Sequence, residues 1–201
     1  MYTINFVVMS KVKTIVYVVI INVVIFTFIE ILLLLLGVGD NNKLIQTINV
    51  RDEKHCQLNP NYLYQYYPKY SSTIPGPSPH LFSYQKPDSV FRVLVIGESG
   101  SQGFPYSKLE AFPFQIQQNL NKRIENKHVE VINMSIAATT SYIGSKIAKE
   151  AVKIKPDLAI IYYGNNEFIG IRGAGTADNL FFKLNVGLSQ LRLYQMLKSM
   201  V

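Results

Sequence analysis

The stretch Phe91-Arg92-Val93-Leu94-Val95-Ile96-Gly97-Glu98-Ser99-Gly100-Ser101-Gln102-Gly103 decides the fold that this sequence predicts. Its apolar run, Val93 to Ile96, is rich in β-branched residues and typical of a strand that is covered on both faces. The run stops at Gly97, and a segment with helical spacing follows the small and polar residues. Such a turn presents the next residue at the carboxyl edge of the sheet, where open α/β sheets bind ligands. We therefore predict that Ser99 is a nucleophile.

Other interpretations of this turn match less well. Gly97, Gly100 and Gly103 follow the spacing G-x-x-G-x-x-G, whereas a dinucleotide loop needs G-x-G-x-x-G. A phosphate loop needs G-K-[ST], which is absent, and the α/β-hydrolase elbow G-x-S-x-G has glycine where Ser101 stands. A serine that merely fits a tight turn remains a structural alternative on this stretch alone.

Strands and helices alternate after this first strand. Val129 to Ile132 and Leu158 to Tyr163 have the character of two further buried strands. Apolar residues at helical spacing predict a helix after each of the first two strands: Phe112, Ile116, Leu120 and Ile124, then Ile143, Ile147, Ala151 and Ile154. The alternation predicts a parallel sheet with right-handed crossovers, and one more amphipathic helix from Ala177 to Met200.

The N-terminal segment predicts a membrane anchor. Residues 14–36 are almost wholly apolar, about 23 residues or ~35 Å as a helix, which is enough to cross a bilayer. Secretory signals have shorter apolar cores, although Gly37-Val38-Gly39 resembles a cleavage site and keeps cleavage open as an alternative. Lys11 and Lys13 precede the span, so we expect a cytoplasmic N-terminus and an extracytoplasmic remainder. Glu30, inside the span, predicts helix–helix contact or tolerated burial.

Composition excludes several classes of partner. The net charge is +7, but the basic residues are scattered and form no Arg-rich run, so we expect no nucleic acid partner. One cysteine, Cys56, permits no internal disulfide. His55-Cys56 is too isolated for a zinc site, which needs four convergent ligands. We predict no metal and no cofactor.

Three regions follow from these patterns. Residues 1–38 form the short cytoplasmic N-terminus and the anchor, which contacts the lipid bilayer through residues 14–36. Residues 39–88 are rich in Tyr and Pro and predict an extracytoplasmic linker, in which Pro75-Gly76-Pro77-Ser78-Pro79 cannot continue a helix or a central strand. Its tyrosines pack either on the domain or at the membrane interface. Residues 89–201 form the α/β domain.

The three strand ends together resemble one family. They are Gly97-Glu98-Ser99, then Asn133 to Ala138, then Gly164-Asn165-Asn166-Glu167. The chain resembles the SGNH hydrolases, or GDSL-like esterases, in which these blocks are Gly-Asp-Ser, Asn-x-x-x-x-Gly and Gly-x-Asn-Asp. It is most similar to the membrane-anchored SGNH proteins of bacteria, some of which continue into tetratricopeptide repeats. The resemblance implies a flavodoxin-like parallel sheet behind one transmembrane helix.

The resemblance also implies roles for individual residues. Ser99 is the nucleophile of an esterase or deacylase that forms an acyl-serine intermediate. The oxyanion is held by the backbone N–H of Ser99, the backbone N–H of Ala138 and the side chain of Asn166. Gly97, Glu98, Gly164 and Glu167 support the site. The implied substrate is an ester-bearing small molecule or glycan.

The sequence departs from the family pattern in three ways. Ala138 stands at a position that is usually glycine, and Glu98 and Glu167 replace aspartates. The family's general base is a histidine in a D-x-x-H block near the end of the domain, and no histidine follows His128. Asp52-Glu53-Lys54-His55 matches D-x-x-H on the wrong side of Ser99, so we interpret it as a chance match, and His80 and His128 as surface residues.

Two expectations follow from these departures. Three strands are fewer than the sheet of this family contains. We therefore expect the chain to be the N-terminal fragment of a longer protein, and we expect this fragment to be inactive by itself. The longer protein would have room for a downstream repeat domain. A serine without a general base is a poor nucleophile. The alternative function is a non-catalytic, membrane-anchored SGNH-like binding or scaffold protein.

Overall fold

A computed structural model describes residues 2–39, 42–50, 53–67, 76–169 and 179–200 of the 201-residue chain. The chain divides into two compact units. The first comprises Met1–Asn41 and Gly187–Val201, and the second comprises Asn42–Val186.

The first unit contains a long apolar helix, α1, which spans Tyr2–Leu35. Its segment Lys11–Leu35 is the one helix in the described residues that is long and apolar enough to cross a membrane. All side chains from residue 11 to residue 28 are exposed, as expected of a helix whose apolar surface faces lipid rather than a protein core. The unit also contains the last helix, α7, at Arg192–Ser199.

The second unit is built on a parallel sheet. Two strands, β1 (Ile45–Val50) and β2 (Glu53–Leu58), precede it. The sheet comprises β3 (Val90–Gly97), β4 (His128–Asn133) and β5 (Leu158–Tyr162). The strand order is β4-β3-β5, and both pairs are parallel. The α/β class with a parallel sheet, predicted from the alternation of apolar runs, is therefore confirmed.

Helices cover both faces of this sheet. A short helix α2 (Ser99–Gln102) follows β3, and α3 (Phe112–Asn121), α4 (Ser141–Ala151) and α5 (Asn166–Ile169) come next. Val93 and Val95 of β3 pack with the α3 side, whereas Leu94 and Ile96 pack with the α4 side. Successive side chains of a strand point to opposite faces, so the apolar run buries both of its faces.

The predicted linker contains structure that the sequence pattern does not indicate. β1 and β2 form an antiparallel hairpin, and a 3₁₀ turn follows at Tyr62–Gln65. Side chains from this region belong to the same core cluster as α4: Leu44, Cys56, Leu58, Tyr62, Leu63, Tyr66, Tyr67 and Phe82. The tyrosines that the structure describes here therefore pack mainly on the domain. Two strands of only six residues, mixed in polarity, gave no clear period in the sequence.

The single helix expected from Ala177 to Met200 is wrong in its continuity. The structure has α6 at Leu180–Leu188, then a break, then α7. Residues 177 and 178 lie outside the described residues. The break carries Ser189 and Gln190, and the backbone of Leu191, which precedes α7, is extended. Apolar spacing continued through the break, so periodicity alone did not locate it.

Polar contacts gather around Arg92 near the start of β3. Its buried guanidinium donates to Glu130 Oε2 at 2.7 Å and to the carbonyl of Ile154 at 2.7 Å. Its backbone N–H donates to Asp157 Oδ2 at 2.7 Å, and Lys86 forms an ion pair with the same carboxylate. These contacts join the segments that enter β3, β4 and β5.

Asp157 makes this cluster sensitive to acid. The hydrogen bond from Lys86, and then that from the Arg92 N–H, lower the pKa of Asp157 below its usual value of 3.8. Its contribution to stability is therefore complete above that value and is lost as the pH falls through the lower pKa of the folded state. We expect Asp157→Asn to lower the free energy of unfolding at pH 7 and to reduce its fall below about pH 4.

Denaturant unfolding of the full chain in micelles, followed by circular dichroism from pH 7 to pH 3, measures this effect. Asp88→Asn, at an exposed aspartate two residues before β3, is the control. An Asp157→Asn curve parallel to that of the unmodified protein would contradict the assignment.

Strand β5 lies at the edge of the described sheet and exposes apolar side chains on both of its faces. Leu158, Ile161 and Tyr162 are 46, 69 and 47% exposed, and within the described residues β5 pairs only with β3. An apolar edge strand of this kind promotes pairing with another chain, which a charged residue at the edge suppresses. We expect Ile161→Lys to reduce self-association and hydrophobic-dye binding while changing the free energy of unfolding by less than ~0.5 kcal/mol.

Concentration-dependent cross-linking of the micelle-solubilised chain tests this expectation. Val152→Lys, at another exposed apolar position (66%), should leave self-association unchanged. Equal association of the Ile161→Lys and unmodified chains would rule out β5 as the cause.

Candidate active site

Ser99 lies where the sequence predicts it, directly after the carboxyl end of β3. The strand ends at Gly97, Glu98 is extended, and Ser99 is the first residue of α2. Gly97 is needed for packing, because a Cβ there would lie 2.6 Å from the carbonyl oxygen of Tyr162 and would also collide with the Ser101 hydroxyl. The turn can therefore bring α2 back against the sheet only without a side chain at this position.

Glu98 ties the ends of two strands together. Its side chain is 1% exposed, and its carboxylate oxygens accept the N–H of Asn165 at 2.9 Å and that of Asn166 at 3.0 Å. Hydrogen bonds of N–H groups to a carboxylate are among the stronger ones in proteins. The acidic residue beside the candidate nucleophile therefore holds the loop that carries Asn166.

Asn166 begins the short helix α5 and points its amide toward the loop after β4. Its Nδ2 donates to the carbonyl of Thr139 at 3.0 Å. A primary amide has two N–H groups, so this bond uses one of its two donor positions. The contact connects the third block to the second.

Ala138 adopts the backbone conformation for which glycine is better suited. Its φ is 61°, in the left-handed region that costs a residue with a Cβ roughly 1–2 kcal/mol. The hydroxyl of Tyr67 donates to the Ala138 carbonyl at 2.7 Å, and the buried Thr139 hydroxyl donates to the Ile136 carbonyl at 2.6 Å. These contacts stabilise the loop despite the strain. Neither the Ser99 hydroxyl nor the Ala138 N–H forms a hydrogen bond with any described residue.

Asn133 and Gln102 connect the second block to α2. Asn133 Nδ2 donates to the carbonyl of Ser101 at 2.7 Å. Gln102 Oε1 accepts the N–H of Ala137 at 2.7 Å, and its Nε2 donates to the carbonyl of Gly76 at 2.8 Å. Neither Tyr67 nor Gln102 was predicted from the sequence as a residue of the site. The available signal was weak, since a single polar residue in a short turn has no periodicity.

Gly164 and Glu167 have structural roles at the third block. Gly164 has a φ of 155°, which a residue with a side chain rarely adopts. Glu167 accepts the N–H of Ser141, the first residue of α4. Nearby, burial raises the pKa of Tyr163 to about 12, and the Glu98 and Glu167 charges act in the same direction against the opposing hydrogen bond with Thr139. Tyr163 therefore stays protonated at neutral pH.

None of the three histidines forms a hydrogen bond with Ser99 among the described residues. His128 is exposed at the amino end of β4, about 17 Å of strand from its carboxyl end. His55 lies in β2 opposite Ile48, and Asp52 of the D-x-x-H match lies outside the described residues. His80 was expected at the surface but is half-buried, because its ring packs beside Phe82. It also lines a cavity of about 240 Å³ together with Asn133 and Lys108. Burial lowers the pKa of His80.

Within the described residues, no group of three or more His, Cys, Asp and Glu side chains is arranged to hold a metal ion. The carboxylates of Glu98 and Glu167 are bonded to backbone N–H groups instead.

Comparison with known proteins gave matches among solved structures only. No family model and no curated protein matches the chain. It is similar to AlinE4, an SGNH-hydrolase family esterase, with 22% identity and a TM-score of 0.38 over 54% of this chain and 56% of AlinE4. It is also similar to TesA, with 23% identity and a TM-score of 0.37 over 52% of this chain and 56% of TesA. The chain thus spans just over half the length of these structures.

The role of Glu98 can be tested by one conservative substitution. Glu98→Gln removes the charge and replaces one of the two accepting oxygens by an NH₂ group, which faces a backbone N–H and cannot accept it. We therefore expect the substitution to lower the free energy of unfolding by ~1–3 kcal/mol. We also expect faster hydrogen exchange at the amides of Asn165 and Asn166. Hydrogen exchange resolved by residue, together with denaturant unfolding, measures both effects.

Glu125→Gln, at an exposed glutamate, is the control for Glu98→Gln. Exchange at Asn165 and Asn166 that is unchanged by Glu98→Gln would show that the carboxylate does not hold this loop.

Proposed function

We propose that this chain carries the acyl-transfer site of a serine esterase or deacylase that is tethered to a membrane by α1. The observation that carries the proposal is the hydrogen-bonded connection of the three strand ends. Glu98, next to Ser99, bonds the backbone of Asn166, and the Asn166 amide bonds Thr139, next to Ala138. A serine and two groups of donors are thereby linked at the carboxyl edge of one parallel sheet.

The proposed chemistry is attack of Ser99 Oγ on an ester carbonyl carbon. The Ser99 proton passes to a general base, and the carbonyl oxygen becomes an oxyanion. The N–H groups of Ser99 and Ala138 and the second N–H of the Asn166 amide are the proposed oxyanion donors. The intermediate collapses to an acyl-serine and releases the alcohol, which takes up the proton. Water then hydrolyses the acyl-serine by the same steps and releases the acid.

The proposed chemistry needs a general base at Ser99, and the part of the chain that the structure describes does not supply one. No imidazole forms a hydrogen bond with Ser99 among the residues that the structure describes. We propose that a histidine from outside these residues supplies the base, so that the 201-residue chain reacts only slowly. The proposed substrate is an ester-bearing small molecule or an acetylated glycan on the extracytoplasmic side, where the positive-inside rule places the domain.

Chemical rescue tests this proposal with the chain itself. The full chain is reconstituted in nanodiscs and assayed with p-nitrophenyl acetate, with and without added imidazole as an external base. We expect imidazole to accelerate hydrolysis, and Ser99→Ala to abolish the protein-dependent part. Asn166→Ala should lower that part by ~10²–10³-fold, the usual cost of losing one oxyanion donor.

Two controls make the result specific. Ser145→Ala removes an exposed hydroxyl that bonds only within α4, at Tyr142, and should leave the rate unchanged. His80→Ala tests the half-buried imidazole of this chain, and a loss of rate there would contradict the proposal of an external base. Imidazole-dependent hydrolysis that is equal in Ser99→Ala and Ser145→Ala would refute the serine nucleophile and favour the non-catalytic binding or scaffold alternative.

A further inference from the structure

The carboxylate inside the apolar helix α1 has two partners. Glu30 Oε2 accepts the N–H of Arg192 at 2.9 Å, and Glu30 Oε1 accepts the N–H of Leu193 at 2.9 Å. Arg192 and Leu193 are the first two residues of α7, and the residue before them provides no side-chain cap. Glu30 therefore supplies the acceptors that the first turn of α7 lacks.

This pairing addresses two costs at once. A carboxylate within hydrocarbon is expensive, and so is a helix end whose N–H groups have no acceptor. A negative charge at the positive end of the helix dipole is also favourable. Within residues 11–35, coverage of α1 by protein is confined to the same region: Ile29 and Glu30 are partly buried and Leu33 is buried, whereas residues 11–28 are exposed.

The helix docked on Glu30 is amphipathic. Leu193, Met196, Leu197 and Met200 fall at i, i+3, i+4 and i+7, which places them on one face. Leu197 and Met200 remain 54 and 77% exposed, whereas Leu193 and Met196 are partly buried, so the described residues cover this face only in part. Arg192 and Lys198 add positive charge to the helix. An apolar face that stays partly exposed, combined with basic residues, is typical of helices that lie in a membrane interface.

The position of Glu30 along α1 sets the depth of this contact. Glu30 lies five residues before Leu35, the last residue of the helix, which corresponds to ~7.5 Å along its axis. Interfacial helices bury their apolar face ~5–10 Å into the boundary between headgroups and acyl chains. A helix held at Glu30 therefore lies at the depth that its amphipathic character requires. The segment just after α1 also lies close to α7, since a Cβ at Gly39 would be 3.0 Å from the Arg192 side chain.

We propose that α7 is an interfacial helix, held by Glu30 at the extracytoplasmic surface of the bilayer with Leu197 and Met200 in contact with lipid. The proposal rests on the membrane anchoring in the proposed function, but not on the esterase chemistry. Arg192 and Lys198 predict preference for anionic lipid, since a negatively charged surface attracts basic residues close to it. Glu30 is a docking residue here and takes no part in acyl transfer.

Tryptophan fluorescence can test the proposal, because the protein contains no tryptophan. The full chain with Leu197→Trp is reconstituted in bilayers that contain lipids brominated at shallow or at deep acyl positions. Phe28→Trp, at a 66% exposed position within the span, reports on the anchor. We expect shallow bromines to quench Leu197→Trp more strongly than deep ones, and anionic lipid to increase that quenching.

Glu30→Leu, combined with Leu197→Trp, tests the docking. We expect lipid quenching of this tryptophan to fall at least about twofold and acrylamide quenching to rise, since α7 loses its two acceptors. Thr27→Leu is the matched control, because its hydroxyl bonds only the Val23 carbonyl of the same helix, and it should change neither signal. Lipid should quench the tryptophan of Phe28→Trp equally in the chain with Glu30 and in the chain with Glu30→Leu.

Each other outcome overturns a distinct statement. Unchanged quenching of Leu197→Trp in the Glu30→Leu background would refute the docking role. Quenching of Leu197→Trp by acrylamide but not by lipid, while Phe28→Trp is quenched by lipid, would place α7 in water and leave the anchor intact. Quenching by neither reagent would indicate that a second protein copy covers the helix. Absence of lipid quenching at Phe28→Trp would refute the membrane anchoring itself.

Discussion

The carboxylate of Glu98 is the group on which the geometry of the candidate site depends. It lies between the end of β3 and the start of α5, almost without solvent, and accepts two consecutive backbone N–H groups. A buried charge without hydrogen-bond partners would be very costly. The two N–H groups of the loop after β5 must therefore stay at the carboxylate, and the position of Glu98 fixes the position of this loop. Because Glu98 and Ser99 are adjacent, the same interaction fixes Asn166 relative to the candidate nucleophile.

The other contacts of the site extend this arrangement from β3 and β5 to β4. Asn166 reaches Thr139, and Gln102 and Asn133 join α2 to the loop that contains Ala138. Ala138 keeps a φ of 61° within this network although its Cβ disfavours that conformation. Local strain persists where the surrounding contacts determine the backbone, and it is often found at functional sites. The hydrogen bonds around this loop therefore hold Ala138 in its left-handed conformation.

A carboxylate that accepts two consecutive N–H groups occurs in both units of the chain. Glu98 holds Asn165 and Asn166 in the α/β unit, and Glu30 holds Arg192 and Leu193 in the unit that contains α1. In both cases a carboxylate accepts N–H groups at the start of a helix. These hydrogen bonds therefore explain why one acidic residue is buried in the α/β unit and another stands within the apolar helix α1.

Local patterns in the sequence determined the parallel sheet and the position of Ser99 after β3, since buried strands and helical stripes have characteristic periods. The strand order β4-β3-β5 came from the folded chain. The local patterns also located an apolar helix long enough to span a membrane. They missed the β1–β2 hairpin and left open whether the tyrosines that follow it pack on the domain or at the membrane interface. They also joined α6 and α7 into one helix. The roles of Glu98, Gln102, Tyr67 and Glu30 depended on the tertiary structure. Each of these side chains bonds to a backbone group distant in the sequence, and neither hydrophobic period nor composition records such a pairing; only the folded chain brings the two groups together.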